Sequence, residues 1–149
     1  MDILLTFQNN SGDLLISDND LATDGGLQTA VFISLFTDRR SDRQGEQRGY
    51  WADGITSDDQ EQWGSLLWTL ENKPITATLL LQMEQYCNAA LEWMKTDGVA
   101  SSVSTSATRT GSEDIKIDVI ITRPQSDPHR YSYLWNSQLG IKELVNGAY

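Results

Sequence analysis

The run ITATLLLQMEQYCNAALEWMKTDG over residues 75–98, then VASSVSTSATR over 99–109 and IKIDVIITR over 115–123, decides the fold. In the first part Leu79, Leu80, Met83, Tyr86, Cys87, Ala90, Leu91 and Met94 recur at steps of three and four. That spacing lays one apolar stripe along a helix. Asp97-Gly98 ends it, because glycine accepts the left-handed conformation that helix C-termini often need. The next two runs change period. Ile115, Ile117, Val119 and Ile121 point to one side while Lys116, Asp118 and Ile120 point to the other, as a strand requires. A long amphipathic helix feeding an antiparallel hairpin that packs back on it predicts a small α+β core.

Working outward toward the N-terminus, the short apolar runs Ile3–Phe7 and Leu14–Ile16 flank the turn-rich segment Gln8–Asp13, which predicts a β-hairpin. The acidic stretch Ser17–Gly26 reads as a loop. Its Asp18-Asn19-Asp20 resembles the start of a calcium loop, but the glycine comes late and Thr29 stands where a bidentate glutamate is needed. Residues Leu27–Thr37 then predict a helix, with Asp24 near its N-terminus and Arg39 and Arg40 at its end, where the helix dipole favours those charges. Apolar on nearly all sides, it is to be buried in the core or partly covered by another chain. Leu66–Leu70 reads as a short helix ending before Lys73-Pro74.

Residues 38–65 are the least regular part of the chain. Four of the seven arginines, Arg39, Arg40, Arg43 and Arg48, fall within ten residues here and are followed by Tyr50 and Trp51. A long irregular segment in a compact domain is usually functional or disordered. Guanidinium groups beside aromatic rings are interface chemistry, because both give large contact area at low entropic cost. The plainer alternative is a solvated loop with Trp51 tucked into the core. Past the hairpin, Pro124 and Pro128 make residues 125–130 a loop. Tyr131–Trp135 reads as a last edge strand or an arm, with Tyr133 and Trp135 as a second, weaker interface patch. Residues 136–149 read as a mobile or partner-held tail.

With 149 residues, 39% hydrophobic and 21% charged, the chain fits one soluble domain spanning 1–149. A net charge of −10 disfavours nucleic acid and anionic membranes as partners, since both are polyanions. The single cysteine, Cys87, lies on the apolar helix stripe and is expected to be a buried, reduced thiol. No basic n-region with an apolar run opens the sequence, and no window approaches a membrane span of about 20 apolar residues. Folding in a cytoplasm is the expectation.

Catalytic signals are thin. His129, between Pro128 and Arg130, has no serine or cysteine partner in a recognisable motif. Glu71, Glu84, Glu92 and Asp97 offer carboxylates for glycoside hydrolysis. Glu84 and Glu92 are eight apart on the polar side of the helix, which is the ordinary place for solvated glutamates. Gly25-Gly26 lacks the further glycines and lysine of a phosphate loop, and no His/Cys/Asp spacing matches a metal site. No catalytic residue, cofactor or metal is therefore expected.

The order of several segments carries a resemblance. Leu21-Ala-Thr-Asp24-Gly25 through Thr37-Asp38-Arg39-Arg40, then Arg48-Gly49-Tyr50-Trp51-Ala-Asp53, Gly64-Ser65-Leu66-Leu67-Trp68, Ala90-Leu91-Glu92-Trp93-Met94 and Arg123-Pro124 together resemble the Mu-like phage tail baseplate protein family. The likeness covers roughly residues 20–135, in the same order. That family is distantly similar to lysozyme-like wedge proteins of contractile tails and to a type VI secretion baseplate component. The resemblance implies a small α+β protein in the wedge around the central hub, located in the virion tail baseplate after assembly in the host cytoplasm. Its implied partners are other wedge proteins, hub or spike proteins and the tail sheath. Distant relatives carry a Glu-Pro-Arg segment between the long helix and the strand. Here that place reads Thr96-Asp97-Gly98-Val99, so any contact made by that motif does not carry over.

The expected role is structural, through protein–protein contacts, with Arg39, Arg40, Arg43, Arg48, Tyr50 and Trp51 foremost at interfaces. The low-charge strand beginning at Val99 is a second candidate, since an open edge of this composition invites a neighbouring strand. The rival reading is a peptidoglycan-degrading tail enzyme using Glu84 or Glu92. A regulatory module that binds an extended peptide at the Val99 edge is a further one.

Overall fold

The computed structural model describes residues 2–24, 27–39 and 64–146. Helix α2 (Ala77–Thr96) bears out the periodicity. Leu79, Met83, Cys87, Ala90, Leu91 and Met94 are buried, and Leu80 and Tyr86 pack half-buried beside them. Each fully buried leucine or methionine among them contributes roughly 1.5–3 kcal/mol. Thr76 caps the start, its Oγ1 accepting from the Leu79 N–H at 3.2 Å. The end is set where expected: Asp97 closes the helix and Gly98 follows at φ +74°.

The hairpin expected after α2 is the nearer half of a four-stranded antiparallel sheet. Strands β7 (Ser102–Arg109), β8 (Asp114–Thr122), β9 (His129–Asn136) and β10 (Gly140–Asn146) lie side by side in the order β10-β9-β8-β7. Ile115, Ile117 and Val119 stand opposite Trp135, Tyr133 and Tyr131. Because side chains alternate, these pairs share one face and build the core against α2, while Lys116, Asp118, Arg130 and Ser132 share the other.

Two expectations about the C-terminal region change here. Residues 140–146 are a strand paired to β9 rather than a loose tail. With β10 outside it, β9 is internal to the sheet and not an edge or an arm. Tyr133 and Trp135 are then 0% and 1% exposed. They are core residues, and the second interface patch expected from them is corrected accordingly. The physical reason is the two-residue period of Tyr131, Tyr133 and Trp135, which turns all three inward once the strand has neighbours on both sides.

Helix α1 (Gln28–Phe36) lies on the same core through Val31 and Leu35. Its ends differ from the expected charge scheme, with no acid in the first turn and no cation in the last. Tertiary bonds hold it instead. The Leu27 N–H donates to the Tyr131 hydroxyl at 3.3 Å, Gln28 Nε2 donates to the Leu5 carbonyl at 3.2 Å, and Thr29 Oγ1 donates to the Ile3 carbonyl at 2.8 Å. A 3-10 turn at Leu67–Leu70 buries Leu67 and Leu70 below it.

The last two bonds fix α1 to an N-terminal lobe of short strands. These are β1 (Asp2–Ile3), β2 (Leu5–Gln8), β3 (Ser11–Leu14), β4 (Ile16–Ser17), β5 (Asp20–Leu21) and β6 (Thr23–Asp24). They pair as β1 with β6, β2 with β3 and β4 with β5. Both hairpin turns have two residues at positive φ, Asn9-Asn10 at 50° and 61° and Asp18-Asn19 at 52° and 67°. Such turns match the right-handed twist of the strands, and Asn and Asp tolerate the conformation. Asp18-Asn19, whose sequence resembles a calcium loop, is thus a hairpin turn. The three pairs meet in a closed ring of backbone bonds. Leu4 N–H donates to the Ala22 carbonyl (2.9 Å), Ala22 N–H to Leu15 (2.8 Å) and Leu15 N–H to Leu4 (3.4 Å). Aromatic contacts from Phe7 to Phe32, Phe32 to Phe36 and Phe36 to Tyr133, with ring centroids 5.1–5.7 Å apart, tie the lobe through α1 to the sheet.

Candidate partner interface

Residues 37–39 and 64–65, which flank the arginine-rich segment in sequence, lie side by side. Arg39 N–H donates to the Ser65 carbonyl and Ser65 N–H to the Thr37 carbonyl, both at 2.9 Å, so residues 37–39 and Ser65 form a short parallel bridge. Ser65 Oγ also donates to the Leu35 carbonyl, and the indole N–H of Trp68 donates to the Arg39 carbonyl at 2.8 Å. Gly64 completes this base. It sits at φ +94°, and a Cβ there would stand 2.2 Å from the Thr37 carbonyl oxygen. Only glycine fits without moving the backbone. Of the predicted site residues, Arg39 is on this base, while Arg40, Arg43, Arg48, Tyr50 and Trp51 lie outside the described residues.

The edge expected at Val99 is present as β7, which among the described residues has β8 on one side only. Thr110 N–H bonds the Asp114 carbonyl at 3.0 Å where the two strands meet. Antiparallel ladders alternate, so the backbone groups of Val103, Thr105 and Ala107 turn away from β8. Helix α2 takes part of this open side. The Glu84 carboxylate accepts the Ala107 N–H at 2.9 Å, and the Thr105 hydroxyl reaches the Glu84 carbonyl at 3.2 Å and Asn88 Oδ1 at 2.8 Å. Glu84 is therefore a strand-edge ligand and not a solvated glutamate. Glu92 pairs with Lys95 at 2.9 Å. Of the two helix carboxylates weighed as a hydrolytic pair, Glu84 is taken up by the β7 edge while Glu92 stays exposed on the helix surface, and His129 stands across the ladder from Ile121.

On the outer face of the sheet Asp118 is only 7% exposed. Ser132 Oγ donates to it at 2.5 Å, Arg130 reaches it at 3.2 Å, and Lys116 stands 3.9 Å away. Burial alone would raise its pKa; the Ser132 and Arg130 hydrogen bonds and the two cations outweigh burial and hold the carboxyl below its ordinary range. Sequence reasoning missed this group, although Lys116 and Asp118 on one strand face were visible. Cys87 is fully buried, and burial, followed by the Glu84 charge, pushes its thiol up to about 12. It is an inert core group. Among the described residues no cluster of His, Cys, Asp and Glu is placed to hold a metal, and no helix is long and apolar enough to cross a membrane.

A family model described as phage protein GP46 matches residues 27–128. The chain belongs to this family. Among GP46-family relatives, the Mu-like prophage FluMu protein gp46 of Haemophilus influenzae is 34% identical over 138 residues, covering 93% of this chain and 98% of that protein. The baseplate protein gp46 of Escherichia phage Mu is 32% identical over 139 residues, covering 89% of this chain and 94% of that protein. The expected Mu-like baseplate family is thereby confirmed. In this GP46-family chain the matched residues run from α1 through β8. The N-terminal lobe and the whole of β9 and β10 lie outside them.

Proposed function

We propose that the chain is a structural component of a contractile phage tail baseplate, set in the wedge around the central hub and acting through protein–protein contacts without catalysis. The similarity to a baseplate protein of phage Mu over nearly the whole of both chains carries this reading. The geometry agrees with it. A wedge subunit needs rigid points of attachment, and the bridge between Asp38 and Ser65 and the strand edge at β7 are both anchored to the core. Arg39, Arg40, Arg43, Arg48, Tyr50 and Trp51 are the leading interface residues, and neighbouring wedge, hub or spike, and sheath proteins are the partners. Assembly takes place in the host cytoplasm, and the finished location is the virion tail.

The double charge reversal Arg39→Glu with Arg40→Glu tests this. Particles from cells carrying it should lack sheathed tails, while the purified variant keeps the wild-type far-UV circular dichroism and melts within a few degrees of it. Normal particles, or a variant that does not fold, would remove the interface assignment. Release of fragments from cell-wall peptidoglycan by the purified wild-type chain would overturn the non-enzymatic reading.

A further inference from the structure

The N-terminal lobe has three properties that bear on binding. The first is exposure. Leu14, Leu15 and Ile16 are consecutive and remain 44%, 38% and 71% exposed, with Leu21 at 40%. Consecutive exposed apolar residues are a liability unless something covers them. The second is grouping. Leu5 stands opposite Leu14 and Ile16 opposite Leu21, so each pair presents one apolar face. The Leu5–Leu14 face opens into a mainly apolar cleft of about 330 Å³ that also involves Phe7 and Phe32. Gly12 lines this cleft, and a Cβ there would stand 3.3 Å from the Phe7 ring. The third is charge. Before Arg39 the sequence holds Asp2, Asp13, Asp18, Asp20, Asp24 and Asp38, and no lysine, arginine or histidine.

We propose that this lobe docks an apolar segment flanked by lysine or arginine residues and supplied by another protein of the tail; the tail clause rests on the baseplate reading above. The cleft and the exposed leucine–isoleucine pairs receive the apolar anchors, which carry most of the energy of such contacts. The exposed aspartates of the lobe, Asp2, Asp13, Asp18 and Asp20, select for cations around the anchor and against acidic surfaces. A second copy of this chain, at net charge −10, is disfavoured by the same rule. The lobe is ready to bind without rearrangement, because the ring of bonds among Leu4, Leu15 and Ala22 and the α1 contacts already fix it.

A photo-crosslinking residue at position 16, in phage-producing cells, tests the proposal, with position 81 on the exposed side of α2 as control. Crosslinked sites are mapped by mass spectrometry in purified particles and in the same cells. Position 16 should join a different tail protein at an apolar residue within a few positions of lysine or arginine. The triple variant Asp13→Asn, Asp18→Asn, Asp20→Asn should cut that yield by about ten-fold at low salt. Asparagine keeps the Oδ1 that Asp13 and Asp20 offer to the Leu14 and Leu21 N–H groups, so the turns survive. Crosslinks to a second copy, to a segment without nearby cations, or none in particles that contain the chain would overturn the docking surface, as would a yield indifferent to the triple variant. Particles lacking the chain would instead remove the baseplate reading and the tail clause. The sequence around the position-16 crosslinks in the cells would then decide the docking chemistry by the same criterion.

Discussion

Asp118 is a carboxylate that the fold removes from water and then compensates. Ser132, Arg130 and Lys116 all converge on it, and Arg130 and Lys116 remain partly exposed. The aspartate is thus the member whose charge the other three groups act on. Asp118→Asn keeps an acceptor for Ser132 but removes that charge, and should lower stability at pH 7 by about 1–3 kcal/mol, the range for weakening hydrogen bonds to a charged group. The pH dependence has a defined sign. The native carboxyl titrates below its unfolded value of roughly 3.9, so its contribution is fully present above that pH and is lost as pH falls through the lower native value. Urea unfolding of both proteins at pH 7 and pH 3 checks this. The gap between wild type and variant should shrink at pH 3, and an equal gap at both would show that charge has no part in it.

At the level of elements, β7 is an edge strand that α2 partly closes. Glu84 occupies the Ala107 N–H, a group that another strand would otherwise use. Glu84→Ala should therefore do two things: cost about 1 kcal/mol in urea unfolding and raise self-association at high concentration in sedimentation equilibrium. A variant that loses stability and stays monomeric would show that Glu84 braces the strand without guarding it. The sequence exposed part of this arrangement. The 3.6-residue period of α2 and the two-residue period of β8 were both readable, because each element has one wet face and one dry face. The bond from Glu84 to Ala107 joins residues 23 apart and leaves no local pattern, so a helix wheel shows only a glutamate on the polar side. Helix α1 failed in its details for a related reason. Its N-terminus is satisfied by Tyr131, 104 residues away, and not by a neighbouring cap.

For the whole molecule, the strand that closes the sheet decides which residues are core. Tyr133 and Trp135 read as interface aromatics while 136–149 looks like a tail, and become interior once β10 covers the far side of β9. That dependence is long-range: β10 also touches the lobe, where Asn10 N–H bonds the Lys142 carbonyl at 3.1 Å. It could not be read from the composition of residues 140–146, which are short, mixed and weakly alternating. The candidate interface at Arg39–Trp51 was legible as a cluster of residue types. Only its base at Gly64 and Ser65 gains geometry from the fold. A chain stopped after Leu139 separates the two views of the C-terminus. If the tail were loose, truncation would leave melting unchanged. With β10 as the cover of β9, its removal bares the edge beside Tyr133 and Trp135 and releases the lobe contact, so the truncated chain should lose cooperative thermal unfolding and aggregate, as exposed edges over large apolar side chains do. Differential scanning calorimetry with light scattering reads both effects. A truncated chain that melts in one sharp transition near the wild-type temperature would show that β10 does not hold the core closed.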